Sequence, residues 1–182
     1  MTRSEPTPQQ MKAVANSLRL RVLRLCNDRA WTNKELADRL ERDPATMLHH
    51  VRLLVDAGLL EPVAVRQGPS GAYEKPYRST GLSWELRFDR AAEDEDGAGE
   101  PAMLAAFRQE LAEAGNDSIG ELTRFHLHLD EAGLDAFSER LRHLLDEFLE
   151  DDDARRRDGA PGHGGIVAVH RLADPPGERA GR

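Results

Sequence analysis

The stretch TNKELADRLERDPATMLHHVRLLVDAGLLEP, residues 32–62, decides the fold. Thr32 followed three residues later by Glu35 is a capping box, and Leu36, Ala37 and Leu40 fall on one face of the helix it opens. "ERD" then turns the chain. Asp43 caps a second helix that carries Pro44 in its first turn. Met47, Val51, Leu54 and Val55 repeat at four-three spacing until Gly58 stops the helix. Two short helices joined by three residues make a helix-turn-helix pattern.

Working outward, TPQQMKAVAN reads as a short helix opened by Thr7 and Pro8. SLRLRVLRLCNDR follows, with Ser17 as its expected cap. Leu18, Val22, Leu25 and Cys26 form its stripe, and Arg19 and Arg24 lie off it. Downstream, LLEPVAVRQ and AYEKPYRST are β-prone runs around the loop GPSG, a hairpin signal. Three helices and such a hairpin predict a winged helix-turn-helix over residues 1–90.

With Met47, Val51 and Leu54 turned inward, the outward positions of the second helix of the motif (44–57) are Ala45, Thr46, Leu48, His49 and Arg52. Such a helix enters the DNA major groove, where Thr46, His49 and Arg52 can donate to base edges. Thr32, Asn33 and Lys34 open the preceding helix, a place for phosphate contacts. Arg66, Lys75 and Arg78 add positive charge in the wing. The plain alternative for all of these is solvated surface charge, weightiest for the wing. His49 and His50 point about 100° apart, so they do not converge on one metal ion. His50 sits between surface and core, as a structural histidine or a base contact.

Composition sets further bounds. The 182 residues carry 39% hydrophobic and 32% charged side chains, the balance of a soluble protein with a modest core. No apolar run approaches the roughly 20 residues of a membrane span, and the N-terminus lacks a signal-peptide pattern. The expectation is a cytoplasmic protein with no membrane partner. Cys26 is the only cysteine, which excludes an internal disulfide and paired-thiolate metal sites. Arginine far outnumbers lysine, which occurs only at Lys12, Lys34 and Lys75; that bias points to a GC-rich bacterial genome. The net charge of −8 argues against a nucleic-acid partner until the chain is divided. Residues 1–90 hold 15 Lys/Arg against 11 Asp/Glu, and residues 91–182 hold 10 against 22. A polyanion is therefore expected to meet the first half alone.

The second half opens with an acidic linker, 91–100. Residues 101–116 form a helix with Leu104, Phe107 and Leu111 in a narrow seam, suited to pairing between subunits or to packing on its own domain. TRFHLHLD alternates as a half-buried strand, residues 131–150 are strongly amphipathic, and GIVAVHRL returns as a strand. Residues 120–173 are thus expected to form a small α+β unit, strand-helix-strand, for dimerisation or for sensing a small-molecule effector. His126 and His128 share a strand face, but no spacing matches a metal-ligand signature. No cofactor is implied. The tail, 174–182, is expected to be disordered. The fold class is mainly α with small β (α+β).

Segment 17–80 resembles the winged-helix repressors of the ArsR type and their relatives. The resemblance rests on SLRLRVLRLC, on residues 32–62 and on the closing YRST, with His50-Val51 and Ala57-Gly58-Leu59 ending the recognition helix in the family's manner. It implies a dimeric, DNA-binding transcriptional regulator. The cysteine pair or His/Asp cluster of metal-sensing members is missing, and Leu48 stands where the family commonly has a small hydroxyl residue. The expected function is a transcriptional regulator, a repressor in the family's style, that binds a pseudo-palindromic operator in double-stranded DNA as a homodimer. The other reading is an interaction module that uses a winged helix to bind protein. The sequence contains no Gly-rich phosphate loop and no nucleophile–base signature, so an enzyme is not expected.

Overall fold

A computed structural model describes residues 4–68, 71–85 and 100–171. The wing-loop tip at 69–70, the linker up to residue 99 and the tail 174–182 lie outside the described residues. Helix α1, Pro8–Val14, opens on a capping box in which Thr7 Oγ1 accepts from the Gln10 N–H at 3.2 Å and Gln10 Oε1 from the Thr7 N–H at 2.8 Å. Helix α2, Ser17–Asp28, is capped by Asn16 rather than by the expected Ser17, which is its first helical residue. Asn16 has the extended backbone a cap needs, and its side-chain oxygen accepts from the Arg19 N–H at 3.1 Å.

The helix-turn-helix forms where its caps place it. Helix α3, Asn33–Arg39, has the Thr32/Glu35 capping box, and α4, Pro44–Asp56, begins with Asp43 accepting from the N–H groups of Ala45 and Thr46. Gly58, at φ 72°, ends α4 with Leu59 N–H bonded back to Leu54 O and Gly58 N–H to Val55 O, both at 2.9 Å. Between the helices Glu41 takes the same left-handed conformation, φ 52°, while the Arg42 N–H reaches Ala37 O. Val22, Cys26, Leu36, Met47, Val51, Leu54 and Leu59 are fully buried in one core.

The wing is a three-stranded antiparallel sheet in the order β1-β5-β2, formed by Trp31–Thr32, Pro76–Ser79 and Leu60–Pro62. Beyond it a separate two-stranded ladder pairs β3, Arg66–Gln67, with β4, Tyr73–Glu74. The hairpin was expected; β1 was not. Trp31 pairs with Tyr77 and Thr32 with Pro76, contacts far apart in the chain that no local pattern announces.

Of the two arginines read as lying off the α2 stripe, Arg24 is exposed but Arg19 is buried, and so is Arg21. The Arg19 guanidinium donates to Ala13 O at 2.6 Å and Lys12 O at 2.7 Å, satisfying the last carbonyls of α1. Arg21 reaches Glu113 and Gln109 of α6, Ala102–Ala114. Helix α6 packs on α2 of its own chain through Ala102, Ala105 and Ala106, leaving Leu104, Phe107 and Leu111 half-buried. Arg24–Glu110 and Arg39–Glu113 ion pairs, at 2.8 and 3.2 Å, flank that contact.

The strand-helix-strand expectation for residues 120–173 is half right. Helix α7 spans Glu131–Glu150, as read from its stripe, but the segments on either side form no ladder. Alternation says which side chains share a face; a strand also needs a neighbouring strand. No strand lies beside these segments among the described residues. Phe125, Leu127 and Leu129 remain 42–51% exposed, with the Phe125 ring tilted against that of Phe137 of α7, centroids 5.7 Å apart. The helical domain with its small sheet keeps the α+β character.

Candidate DNA-binding surface

Helix α4 sorts its side chains as the periodicity demands. Met47, Val51 and Leu54 have no exposed surface, whereas Ala45, Thr46, His49 and Arg52 are exposed on the opposite side. Successive spacings of three bring Thr46, His49 and Arg52 onto one face, a hydroxyl, an imidazole and a guanidinium in a row. Leu48 and His50 border that row and are half-buried. The two imidazoles meet edge to face, centroids 5.7 Å apart, so His50 flanks His49 at the margin of the row. Among the described residues no group of three or more His, Cys, Asp or Glu is placed to hold a metal ion. Within the C-terminal half the His126 and His128 rings lie 4.9 Å apart.

The start of α3 is less available than its sequence implies. Thr32 is buried; its hydroxyl accepts from the Glu35 N–H at 3.1 Å and its own N–H donates to Glu35 Oε2 at 2.7 Å. Asn33 Nδ2 donates to Pro44 O at 2.9 Å, and Lys34 is exposed. Of the expected phosphate contacts here, only Lys34 projects an unoccupied polar head.

In the wing, Lys75 and Arg78 are exposed, with the Lys75 ammonium 5.8 Å from the Tyr77 ring centroid. Arg78 lies opposite Glu61 in the β2–β5 register. Arg66 is engaged: its Nη2 contacts Glu35 Oε1 at 2.6 Å and its Nε contacts Glu74 Oε2 at 3.5 Å. Burial alone would raise the Glu35 carboxyl, but the Thr32 backbone and side chain, and then Arg66, hold it below the usual carboxylate range. Sequence reasoning missed Tyr73, 83% exposed on the outer strand. The alternation of Tyr73, Lys75 and Tyr77 was its available signal.

Residues 14–63 match a family model described as a helix-turn-helix domain. No curated protein matches the chain. Fold, exposed α4 face and match together give the N-terminal half the character of a DNA-binding regulatory domain. No helix among the described residues is long and apolar enough to cross a membrane.

Proposed function

We propose that the chain is a bacterial, cytoplasmic transcriptional regulator of the ArsR type, a repressor that reads a pseudo-palindromic operator as a homodimer. The observation that carries this reading is the division of α4 into a buried Met47/Val51/Leu54 row and an exposed Thr46/His49/Arg52 row. Two recognition helices about 34 Å apart would enter successive major grooves. Thr46, His49 and Arg52 would face base edges, flanked by Ala45 and Leu48, whose side chains offer apolar contact to a thymine methyl. Lys34, Lys75 and Arg78 would take phosphates. The reading is non-enzymatic.

The C-terminal half would supply dimerisation, sensing of a small-molecule effector, or both. Helix α7 supports an association role, because Leu134, Leu144 and Phe148 are 41–65% exposed along one stripe. The same stripe favours the second reading, a module that docks on another protein.

A mobility-shift titration with DNA from upstream of the protein's own gene, repeated across salt concentrations, tests the proposal. A sequence-selective shift that weakens steeply with salt is expected. His49→Ala and Arg52→Ala should each weaken the selective complex, by up to about 1–3 kcal/mol for a lost bidentate contact, with oligomeric state unchanged. Wild-type selectivity in both variants would refute the reading face, and absence of any shift at low salt would refute DNA binding.

A further inference from the structure

The outer hairpin of the wing is not continuous with the sheet that anchors it. Strands β3 and β4 form their own ladder, and residues 63–65 and Lys75 separate it from β2 and β5. The stagger is unequal: Pro62 faces Tyr77 and Arg66 faces Glu74, so one strand has an extra residue across the gap. A bulge bends and re-aims a hairpin, and its direction then needs a second support. Arg66 supplies one. It lies opposite Glu74 in the β3–β4 register and also reaches Glu35 at the start of α3, 31 residues earlier. Glu35 holds Arg66 with one carboxylate oxygen and the Thr32 N–H with the other, while Thr32 pairs with Pro76 of β5.

We propose that Arg66 is a positioning residue, a strut that sets the wing against the helix-turn-helix through Glu35, and not a phosphate contact. This rests on the reading that the winged helix binds DNA. Two carboxylates already share the guanidinium charge, so a phosphate would have to displace one of them. Charge networks of this geometry hold a side chain better than an isolated surface pair.

The test compares the full-length wild type with Arg66→Ala, Glu35→Gln, their double variant and Lys75→Ala, on operator DNA obtained by in vitro selection. Gln is competent in a capping box, so Glu35→Gln removes the ion pair and keeps the helix start. Lys75→Ala should reduce the salt slope of log K by about 0.9. Arg66→Ala and Glu35→Gln should keep the wild-type slope, weaken operator binding by a common factor, and cost no more together than singly. A slope reduced by about one in Arg66→Ala, tighter binding by Glu35→Gln, or unchanged affinity in both overturns the proposal. If the wild type selects no DNA, the functional reading fails instead. The strut is then judged by hydrogen exchange of the Gly68 amide, bonded to Ala72 O at 2.8 Å. Equal acceleration in both single variants supports it, and wild-type exchange rates overturn it.

Discussion

Asn33 and Pro44 join the two helices of the motif at their first turns: the Asn33 side-chain amide donates to the Pro44 carbonyl at 2.9 Å, with Asn33 Oδ1 buried beside it. Proline supplies no N–H at that position but keeps its carbonyl, and Asn33 uses it. Asn33→Ala should therefore lower stability by about 1 kcal/mol, and Asn33→Asp by more, because a carboxylate cannot donate there. Urea denaturation measures both. A normal midpoint for Asn33→Ala with weakened DNA binding would return Asn33 to the phosphate-contact role.

Glu41 occupies a left-handed position at which glycine carries no side-chain penalty. Glu41→Gly should raise stability by about 1 kcal/mol, some 4–8 °C in Tm for a domain of this size. Thermal unfolding decides it, and a lower Tm would show that the glutamate side chain contributes more than the backbone strain costs.

Cys26 is fully buried, and burial pushes its thiol up from 9.0 to about 12. The folded state holds that proton more tightly than the unfolded chain, so its contribution to stability is complete below about pH 9. It is lost as pH rises from there toward 12. Unfolding free energy should fall by up to about 1.4 kcal/mol per pH unit across that window. Cys26→Ala should lack this component in parallel denaturation curves, and a thiol reagent should leave the native wild type unmodified at pH 8. Rapid labelling of the native protein would contradict the burial argument.

Electrostatics of DNA binding should be weaker than the 15 cations of residues 1–90 imply. Arg19 is spent on α1, Arg21, Arg24 and Arg39 face carboxylates of α6, and Arg66 is held in the wing. Among the described residues no ion pair engages Lys34, Arg52, Lys75 or Arg78. If each meets one phosphate, log K should fall with log salt at a slope of about −3.6 per bound protomer, or about −7 per dimer. Mobility shifts or fluorescence anisotropy give the slope directly, and a dimer value steeper than about −10 would mean that cations beyond these four meet the DNA.

What the sequence disclosed follows the range of the interactions. Thr7, Thr32 with Glu35, Asp43 with Pro44, and Gly58 act within one helical turn, and each marked its boundary correctly. The exposed row of α4 followed from its buried one. The burial of Arg19 and Arg21 was hidden, since their partners lie on α1 and α6 and a charged residue read by periodicity alone defaults to the surface. The wing arginine was hidden for the same reason: positive charge was legible, its two carboxylates were not. Around α7 the alternation of TRFHLHLD was real as a pattern, but no pattern within one strand names the strand beside it.

Arg19 also fixes where this domain can be cut. The family match begins at Val14, yet the guanidinium of Arg19 ends on the carbonyls of Lys12 and Ala13. A polypeptide excised at the edge of the similarity would lose both acceptors, and each such charge-assisted bond contributes roughly 1.5–3 kcal/mol. It would also discard the buried Ala13. The smallest piece that inherits an intact interior starts at the Thr7 capping box, ahead of the residue at which the helix-turn-helix match begins.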